Sequence, residues 1–317
     1  MDRPAVAGAR SMIRFLLGRL AGAVVVVFVV ATVSFFLLHA APGGPFDTAE
    51  RRSAEVQRAM EERYGLHDPL WQQYTRAVGK LATGDLGYSM RTDQPVSELI
   101  AEHFPVSAKI GGLGLVSAVL LGVGLGVAAA RRKNTWVDYV AMPCAVLGIS
   151  VPAFVVGPLL IAVFSLALGW LPPARIAGPS SYILPAISLG LVYLGTVARL
   201  ARGGMIETLS DDYIRTARAK GLSERAVVWK HALRLGVVPV VTYLGPATAT
   251  MISGSFVVEK IFQLPGLGTY FIKSIADRDY PVLTGVFVFY AVLLVVLNLL
   301  VDIAYGVIDP RTRAANG

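Results

Sequence analysis

Residues Ile110 to Ala130 read IGGLGLVSAVLLGVGLGVAAA, 21 residues without one ionisable side chain. A helix that crosses the hydrocarbon core of a bilayer needs about 20 largely apolar residues, so this stretch is a membrane span. Five others pass the same test: Leu20 to Leu38, Tyr139 to Ala174, Ile176 to Ala198, Leu235 to Val258 and Pro281 to Val301. Only Arg175 separates the third from the fourth in chain order, but Leu171-Pro172-Pro173 and Gly178-Pro179-Ser180-Ser181 are turn signals that divide them. The fold class expected is an all-α integral membrane protein with six transmembrane helices.

Composition agrees. The 317 residues are 55% hydrophobic and 16% charged, with a mean hydropathy of +0.60; a soluble domain carries about a quarter charged residues. The formal charge of +8 is spread between apolar spans, whereas a nucleic-acid surface gathers its cations on one stripe. Cys144 has no second cysteine to pair with and reads as a small buried hydrophobe. The first span follows Arg10, Arg14 and Arg19 as a secretory signal would, but its 19 uncharged residues exceed a signal core of about 7–15, so a retained helix is expected.

Lysine and arginine set the orientation. With the N-terminus cytoplasmic, inside segments 1–19, 131–138, 199–234 and 302–317 hold 17 of them, and outside segments 172–182 and 259–280 hold 4. The external loop 39–109 holds 8 more, but loops beyond about 60 residues count little. Both termini are therefore expected in the cytoplasm, with segment 1–19, a six-span domain 20–301 and a tail 302–317.

The spans are not uniform apolar rods. Gly111, Gly112, Gly114, Gly122, Gly124 and Gly126 crowd the second, a pattern that lets helix backbones approach closely. Pro143, Pro152 and Pro158 interrupt the third, which is tolerated where freed carbonyls face protein or a wet cavity.

Covalent chemistry has no foothold. No Asp, Glu, Lys, Arg or His lies within the six stretches as bounded, so a midplane carboxylate for ion coupling is not expected. His39, His67, His103 and His231 are not placed to activate a buried Ser150 or Ser255. No glycine-rich run ends in Lys-Ser or Lys-Thr to cradle a nucleotide. Asn298 and Asp302, four apart, share a helix face; they suit either a polar contact with the basic loop 199–234 or simple end-solvation.

That loop carries the pattern with the most content. Asp211 or Asp212 can cap a helix beginning near Tyr213, Arg218 and Lys220 sit where the helix dipole favours cations, and Gly221 can close it in a left-handed cap. Ser223 to Leu235 then reads as a second helical stretch. The run Tyr213-Ile214-Arg215-Thr216-Ala217-Arg218-Ala219-Lys220-Gly221-Leu222, followed by His231-Ala232-Leu233-Arg234 and Pro239-Val240, resembles the coupling loop of permease subunits of ATP-binding-cassette importers, specifically the B-type subunit of oligopeptide and dipeptide permeases. Against the broader importer pattern Glu-Ala-Ala, three residues and Gly, the chain keeps Ala217 and Gly221, but Arg215 and Thr216 precede them and the proline comes late, at Pro239. Further similar pieces are Ala41-Pro42-Gly43-Gly44-Pro45-Phe46, Tyr64-Gly65-Leu66, Asp68-Pro69-Leu70, Gln73-Tyr74, Gly84-Asp85-Leu86-Gly87, Phe104-Pro105-Val106-Ser107-Ala108-Lys109, Leu264-Pro265-Gly266-Leu267-Gly268, Arg278-Asp279-Tyr280 and Val307-Ile308-Asp309-Pro310-Arg311.

The resemblance implies a type I importer permease in a bacterial inner membrane. It implies a second, C-type permease subunit, two cytoplasmic ATPases that bind ATP and Mg, an external peptide-binding protein, and no enzyme activity or cofactor in this chain. Residues Tyr213, Arg215, Thr216, Ala217, Arg218, Ala219, Lys220, Gly221 and Leu222 would dock an ATPase. In that reading Ala217 and Gly221 are small to allow close approach, and Arg215, Arg218 and Lys220 pair with ATPase acids. Regions 65–90 and 259–280 would face the binding protein, with Trp71, Tyr74 and Tyr88 as anchors. Nickel chelates, glutathione or opines are alternative cargo; a membrane enzyme and a receptor or scaffold are the alternatives of other classes.

Overall fold

The structure, a computed structural model, describes residues 4–41, 43–46, 54–253 and 255–308, the side chains of 4–17, 54, 56–57, 149 and 302–308 excepted. The described residues form helices, with one isolated bridge between Tyr88 and Pro95 and no strand. In chain order the helices are α1 (Pro4–Ala40), α2 (Ala54–Tyr64), α3 (Leu70–Ala82), α4 (Val96–Arg131), α5 (Trp136–Ser150) and α6 (Ala153–Leu160). They continue with α7 (Ile183–Leu209), α8 (Asp212–Ala219), α9 (Glu224–Ala226), α10 (Leu233–Gly236), α11 (Val238–Ser253), α12 (Phe256–Ile261), α13 (Leu267–Asp277) and α14 (Tyr280–Ile308).

Among the described residues five helices are long and apolar enough to cross a membrane: Gly18–Ala40, Val96–Arg131, Pro179–Leu209, Val238–Ile261 and Tyr280–Val301. The expected third span is one only if bent, because Trp136–Gly148 and Ala153–Ala167 meet at 100°. Pro152 causes the break: it has no N–H to continue α5 and disfavours the helical conformation in Val151, which is extended (φ −94°, ψ 118°). Beyond α6 the chain loosens into wider π-helical turns over Ile161–Ala167, so the last apolar residues of the expected span, 168–174, are not helical.

The chain divides into two compact units. The larger is built on Val106–Leu264 with the end of the chain from Val296. In it the glycines of α4 sort into two kinds. A Cβ on Gly122 would meet Leu194 O at 2.9 Å, one on Gly126 would meet Ala198 O at 2.6 Å, and Gly111 and Gly114 are also closely approached; Gly112 and Gly124 face open space. Four of the six therefore let neighbouring helices in, and two do not. On the same flank Arg202 of α7 reaches Asp138 of α5, with Nε donating to Oδ1 and Nη2 to Oδ2, both at 2.7 Å. Cys144, expected inside, is exposed.

The six stretches are charge-free as bounded, but a carboxyl stands immediately beyond the fifth. Glu259 follows the stretch Leu235 to Val258 directly, and α12 carries it to a fully buried position. The hydroxyls of Ser107, 2.6 Å away, and Ser255, 2.5 Å away, donate to its Oε1. A buried carboxyl group requires such donors.

The smaller unit is built on Ile13–Pro105 and Pro265–Val295. Its core gathers Val96, Leu99, Ile100, Leu267, Val282 and Val286. Asp279 ties its loops together: Ser89 Oγ donates to Oδ2 at 2.5 Å and the Met90 N–H donates to Oδ1 at 3.1 Å. Burial pushes the Asp279 carboxyl above its usual range, against the pull of these hydrogen bonds. Next to it Arg278 occupies a left-handed C-cap (φ 54°) and donates to Gly44 O. Arg278-Asp279-Tyr280 is thus a junction piece.

Candidate functional site

Helix α8 is built as a small amphipathic wedge. Asp211 occupies the N-cap position in extended conformation without a side-chain capping bond, and Asp212 puts a negative charge in the first turn, where the dipole favours it. At the other end the Gly221 N–H donates to Arg218 O and the Leu222 N–H to Ala217 O. These two bonds with Gly221 at φ +78° are a Schellman closure, which a side chain at Gly221 would strain. The chain then re-enters helix at α9, where the Ser223 hydroxyl accepts the Ala226 N–H, and continues through π-helical Val227–Ala232 into α10.

One edge of α8 belongs to the chain's own core. Ile214 and Ala217, three apart, are buried with Val127 and Ala130 of α4, Met205 of α7, and Val227, Val228 and Ala232. Ala217, expected to allow close approach by a partner, packs inward within this chain. The outward face is Tyr213, Arg215, Thr216, Arg218, Ala219, Lys220, Gly221 and Leu222, all exposed.

The three cations on that face are not equivalent. Arg218 makes a two-pronged pair with Glu224, Nε to Oε2 at 3.1 Å and Nη2 to Oε1 at 2.9 Å, which braces α8 against α9. Arg215 makes a solvent-exposed pair with Asp212 at 3.2 Å, a contact of little energetic weight. The Lys220 side chain has neither hydrogen bond nor ion pair among the described residues, while its backbone N–H donates to Thr216 O. Sequence alone treated the three alike, because pairing across the turn between α8 and α9 is set by the closure at Gly221.

The Arg218 hydrogen bonds hold the Glu224 carboxyl below its ordinary value of 4.5. A carboxyl depressed on folding contributes stability above its unfolded pKa and loses it as pH falls through the folded one. Protection factors of segment 218–226, measured against intrinsic exchange at each pH, are therefore expected to be higher at neutral pH and to fall in acid as Glu224 takes up its proton. Glu224→Gln should exchange quickly at both; equal pH dependence in wild type and variant would refute the brace.

Other expected positions fall elsewhere. Asn298 is half-buried on α14 with its Oδ1 against Gly245 of α11, and it makes no hydrogen bond to residues 199–234 among the described residues. The Asp302 side chain lies outside the described residues. The expected loop 199–234 begins as helix, because α7 continues through Leu209. Trp71 and Tyr88 are exposed, while Tyr74 is engaged within the chain: its hydroxyl lies 2.8 Å from Thr32 Oγ1 and its ring stacks on Phe36. Among the described residues no three or more His, Cys, Asp or Glu gather as metal ligands would.

The geometry is that of a multi-span bundle with a braced, outward-facing helix between two spans, and comparisons with known proteins agree. The sequence model of the family described as "Binding-protein-dependent transport system inner membrane component" matches residues 122–314. That of its N-terminal counterpart, "Binding-prot-dependent transport system membrane comp, N-term", matches residues 12–111. The dipeptide transport system permease protein DppB of Bacillus subtilis is 43% identical over 303 residues, covering 95% of this chain and 98% of that protein. The oligopeptide transport system permease protein OppB of Haemophilus influenzae is 42% identical over 305 residues, and that of Escherichia coli K12 likewise, each covering 95% of this chain and 100% of the relative. Among solved structures, the crystal structure of an amino acid ABC transporter with histidines has a TM-score of 0.50 at 17% identity and covers 66% of this chain and 94% of that one; it supports the fold alone.

Proposed function

The chain belongs to the binding-protein-dependent inner-membrane permeases of ABC importers, within their oligopeptide and dipeptide branch, and from that premise we propose that it forms half of a peptide translocation pathway and receives the power stroke through α8. The observation that carries the docking half of this reading is the division of α8 into a buried edge, Ile214 and Ala217, and an exposed face that ends at Lys220, whose side chain has no partner among the described residues. A helix anchored along one edge moves as a rigid piece when pushed on the other, and packed helices pass such a push on as discrete shifts. Peptide cargo follows from what the relatives are named for transporting.

The partners in this reading are a C-type permease subunit, two ATPases that bind ATP and Mg, and an external peptide-binding protein. Lys220 is the cation offered to an ATPase acid, since Arg218 is committed to Glu224. Both termini face the cytoplasm, as the 17-to-4 distribution of Lys and Arg favours, so α8 faces the ATPase side.

Co-expression with the neighbouring permease and ATPase genes, followed by purification through this chain, tests the docking. The wild type is expected to co-elute with ATPase. Gly221→Asp, which strains a φ of +78° by about 1–2 kcal/mol, and Ala219→Trp, which adds bulk only to the exposed face, should both lose it. Retention of ATPase by Ala219→Trp would remove the outward face of α8 from the interface. Loss in Gly221→Asp alone would mean that the cap matters only for folding of the loop.

A further inference from the structure

The smaller unit contains a cavity of about 290 Å3 between the end of α1, the start of α14 and helix α3. Phe35 and His39 line it from α1, Tyr280, Pro281 and Thr284 from α14, and Gln73, Ala77 and Leu81 from α3. At 1.5 Å per residue Phe35 stands about 8 Å before the end of the span Gly18–Ala40, and Thr284 about 6 Å past the start of the span Tyr280–Val301. Spans of 23 and 22 residues exceed a hydrocarbon core of about 30 Å by only a few ångströms, so one side of the cavity lies at the depth of acyl chains. The Tyr74 hydroxyl contact with Thr32 and the stacking of its ring on Phe36 hold α3 at the same level.

The wall is electrically balanced. Arg63 pairs with Asp93 and Arg76 with Asp68, and Lys80 shares the lining with Asp85, so the charges cancel. Polar groups of the wall are also bonded within the chain: His39 to Phe35 O and Gln73 Oε1, Gln73 Nε2 to Leu66 O and Asp68 O, and the Tyr64 hydroxyl to Ser89 O. What is left to meet an occupant is mostly carbon, from Phe35, Leu66, Ala77, Leu81, Leu86 and Met90. Proteins keep few voids larger than a water molecule, and water needs about two to four polar partners to stay in one. The membrane supplies another filling at the cavity's own depth. Next to Phe35, the residues Val33, Phe36 and Leu37 form an exposed apolar flank of α1, and Leu70 and Trp71 at the start of α3 are exposed too.

We propose that this cavity takes the end of an acyl chain of an outer-leaflet phospholipid, whatever its headgroup, the chain reaching it along the exposed flank of α1. The inference rests on the membrane reading and orientation above but not on docking of an ATPase by α8. A chain held there fills the space beside α3 and ties that helix to the ends of α1 and α14.

Native mass spectrometry of the delipidated importer complex tests it, with phosphatidylglycerol, phosphatidylethanolamine or soluble trileucine added back. The wild type is expected to retain the two phospholipids alike, and Lys80→Ala to retain them as the wild type does. A marked preference for phosphatidylglycerol, or its loss in Lys80→Ala, would mean that headgroup charge governs the site and would overturn the acyl assignment. Ala77→Trp, which puts an indole into the space, should retain either lipid about tenfold less, the effect of filling roughly a fifth of the volume, and Ala77→Leu should fall between. Thr75→Trp, on the exposed side of α3, should retain lipid as the wild type does. Without lipid Ala77→Trp is expected to melt no lower than the wild type, and added lipid should raise the melting temperature of the wild type but not of this variant. Equal retention by wild type and Ala77→Trp would overturn the site itself, and displacement of lipid by trileucine would make it a seat for apolar peptide side chains instead. ATPase co-elution in the same preparations reports separately on the docking reading.

Discussion

Glu259→Ala is expected to destabilise the chain by about 3–5 kcal/mol, and Glu259→Gln by about 1–2 kcal/mol. The carboxyl is fully buried, and one of its oxygens receives the hydroxyls of Ser107 on α4 and Ser255 at the start of α12. Alanine removes that oxygen and opens a cavity where the side chain packed, so Ser107 loses its carboxylate acceptor while Ser255 keeps Ile252 O at 2.9 Å. Glutamine keeps an acceptor oxygen of the same reach and nearly the same volume, so both serines retain a partner and no cavity opens. Thermal unfolding of the purified complex should therefore rank wild type above glutamine above alanine. Ser107→Ala should fall with glutamine, since it takes away one donor and leaves the other. Equal melting temperatures for glutamine and alanine would mean that Glu259 acts through its volume and not through its oxygens.

Glu259 also marks where sequence reading stops. Five of the apolar spans and the α8–Gly221 loop are legible because each depends on residues close together in the chain: hydropathy over about 20 positions, or a cap three to four residues from its partner. The motif pieces have the same local character. Gly65 at φ 64° closes α2 just as Gly221 closes α8, so their glycines are required by backbone geometry before any function is invoked. What the sequence does not show depends on distant pairing. Ser107 and Glu259 are 152 residues apart, Arg202 and Asp138 are 64 apart, and Ser89 and Asp279 are 190 apart. A serine gives no hint that its hydroxyl is reserved for a carboxyl on another helix. The inward burial of Ala217 was hidden for a related reason: on a two-turn helix the apolar pair Ile214 and Ala217 is too short a pattern to say which edge packs inward.

The glycines of α4 turn that limit into an experiment, because sequence treats Gly124 and Gly126 alike and the structure assigns them opposite signs. Gly124→Ala should stabilise by about 0.5–1 kcal/mol, since its Cβ meets nothing within 4 Å and alanine reduces the entropy lost by a mid-helix glycine. Gly126→Ala should destabilise by about 1–3 kcal/mol. Its Cβ would stand 2.6 Å from Ala198 O and 2.9 Å from Arg202 N, which are backbone atoms of α7 and have no rotamer by which to retreat. Helix α7 must move, and it carries Arg202, whose two 2.7 Å bonds to Asp138 tolerate little displacement; Arg202 keeps some access to solvent, so losing the pair costs less than a fully buried one would. The disturbance extends to α8. Val127 and Ala130 follow Gly126 on α4 and share a core with Ile214 and Ala217, so a shift between α4 and α7 loosens the buried edge on which α8 sits. Gly126→Ala is therefore expected to melt lower than wild type and to retain less ATPase on purification, whereas Gly124→Ala melts higher and retains as much. If both substitutions move stability in the same direction, α4 and α7 do not pack as closely as these distances require, and the route from α8 into the bundle through this core is lost with them.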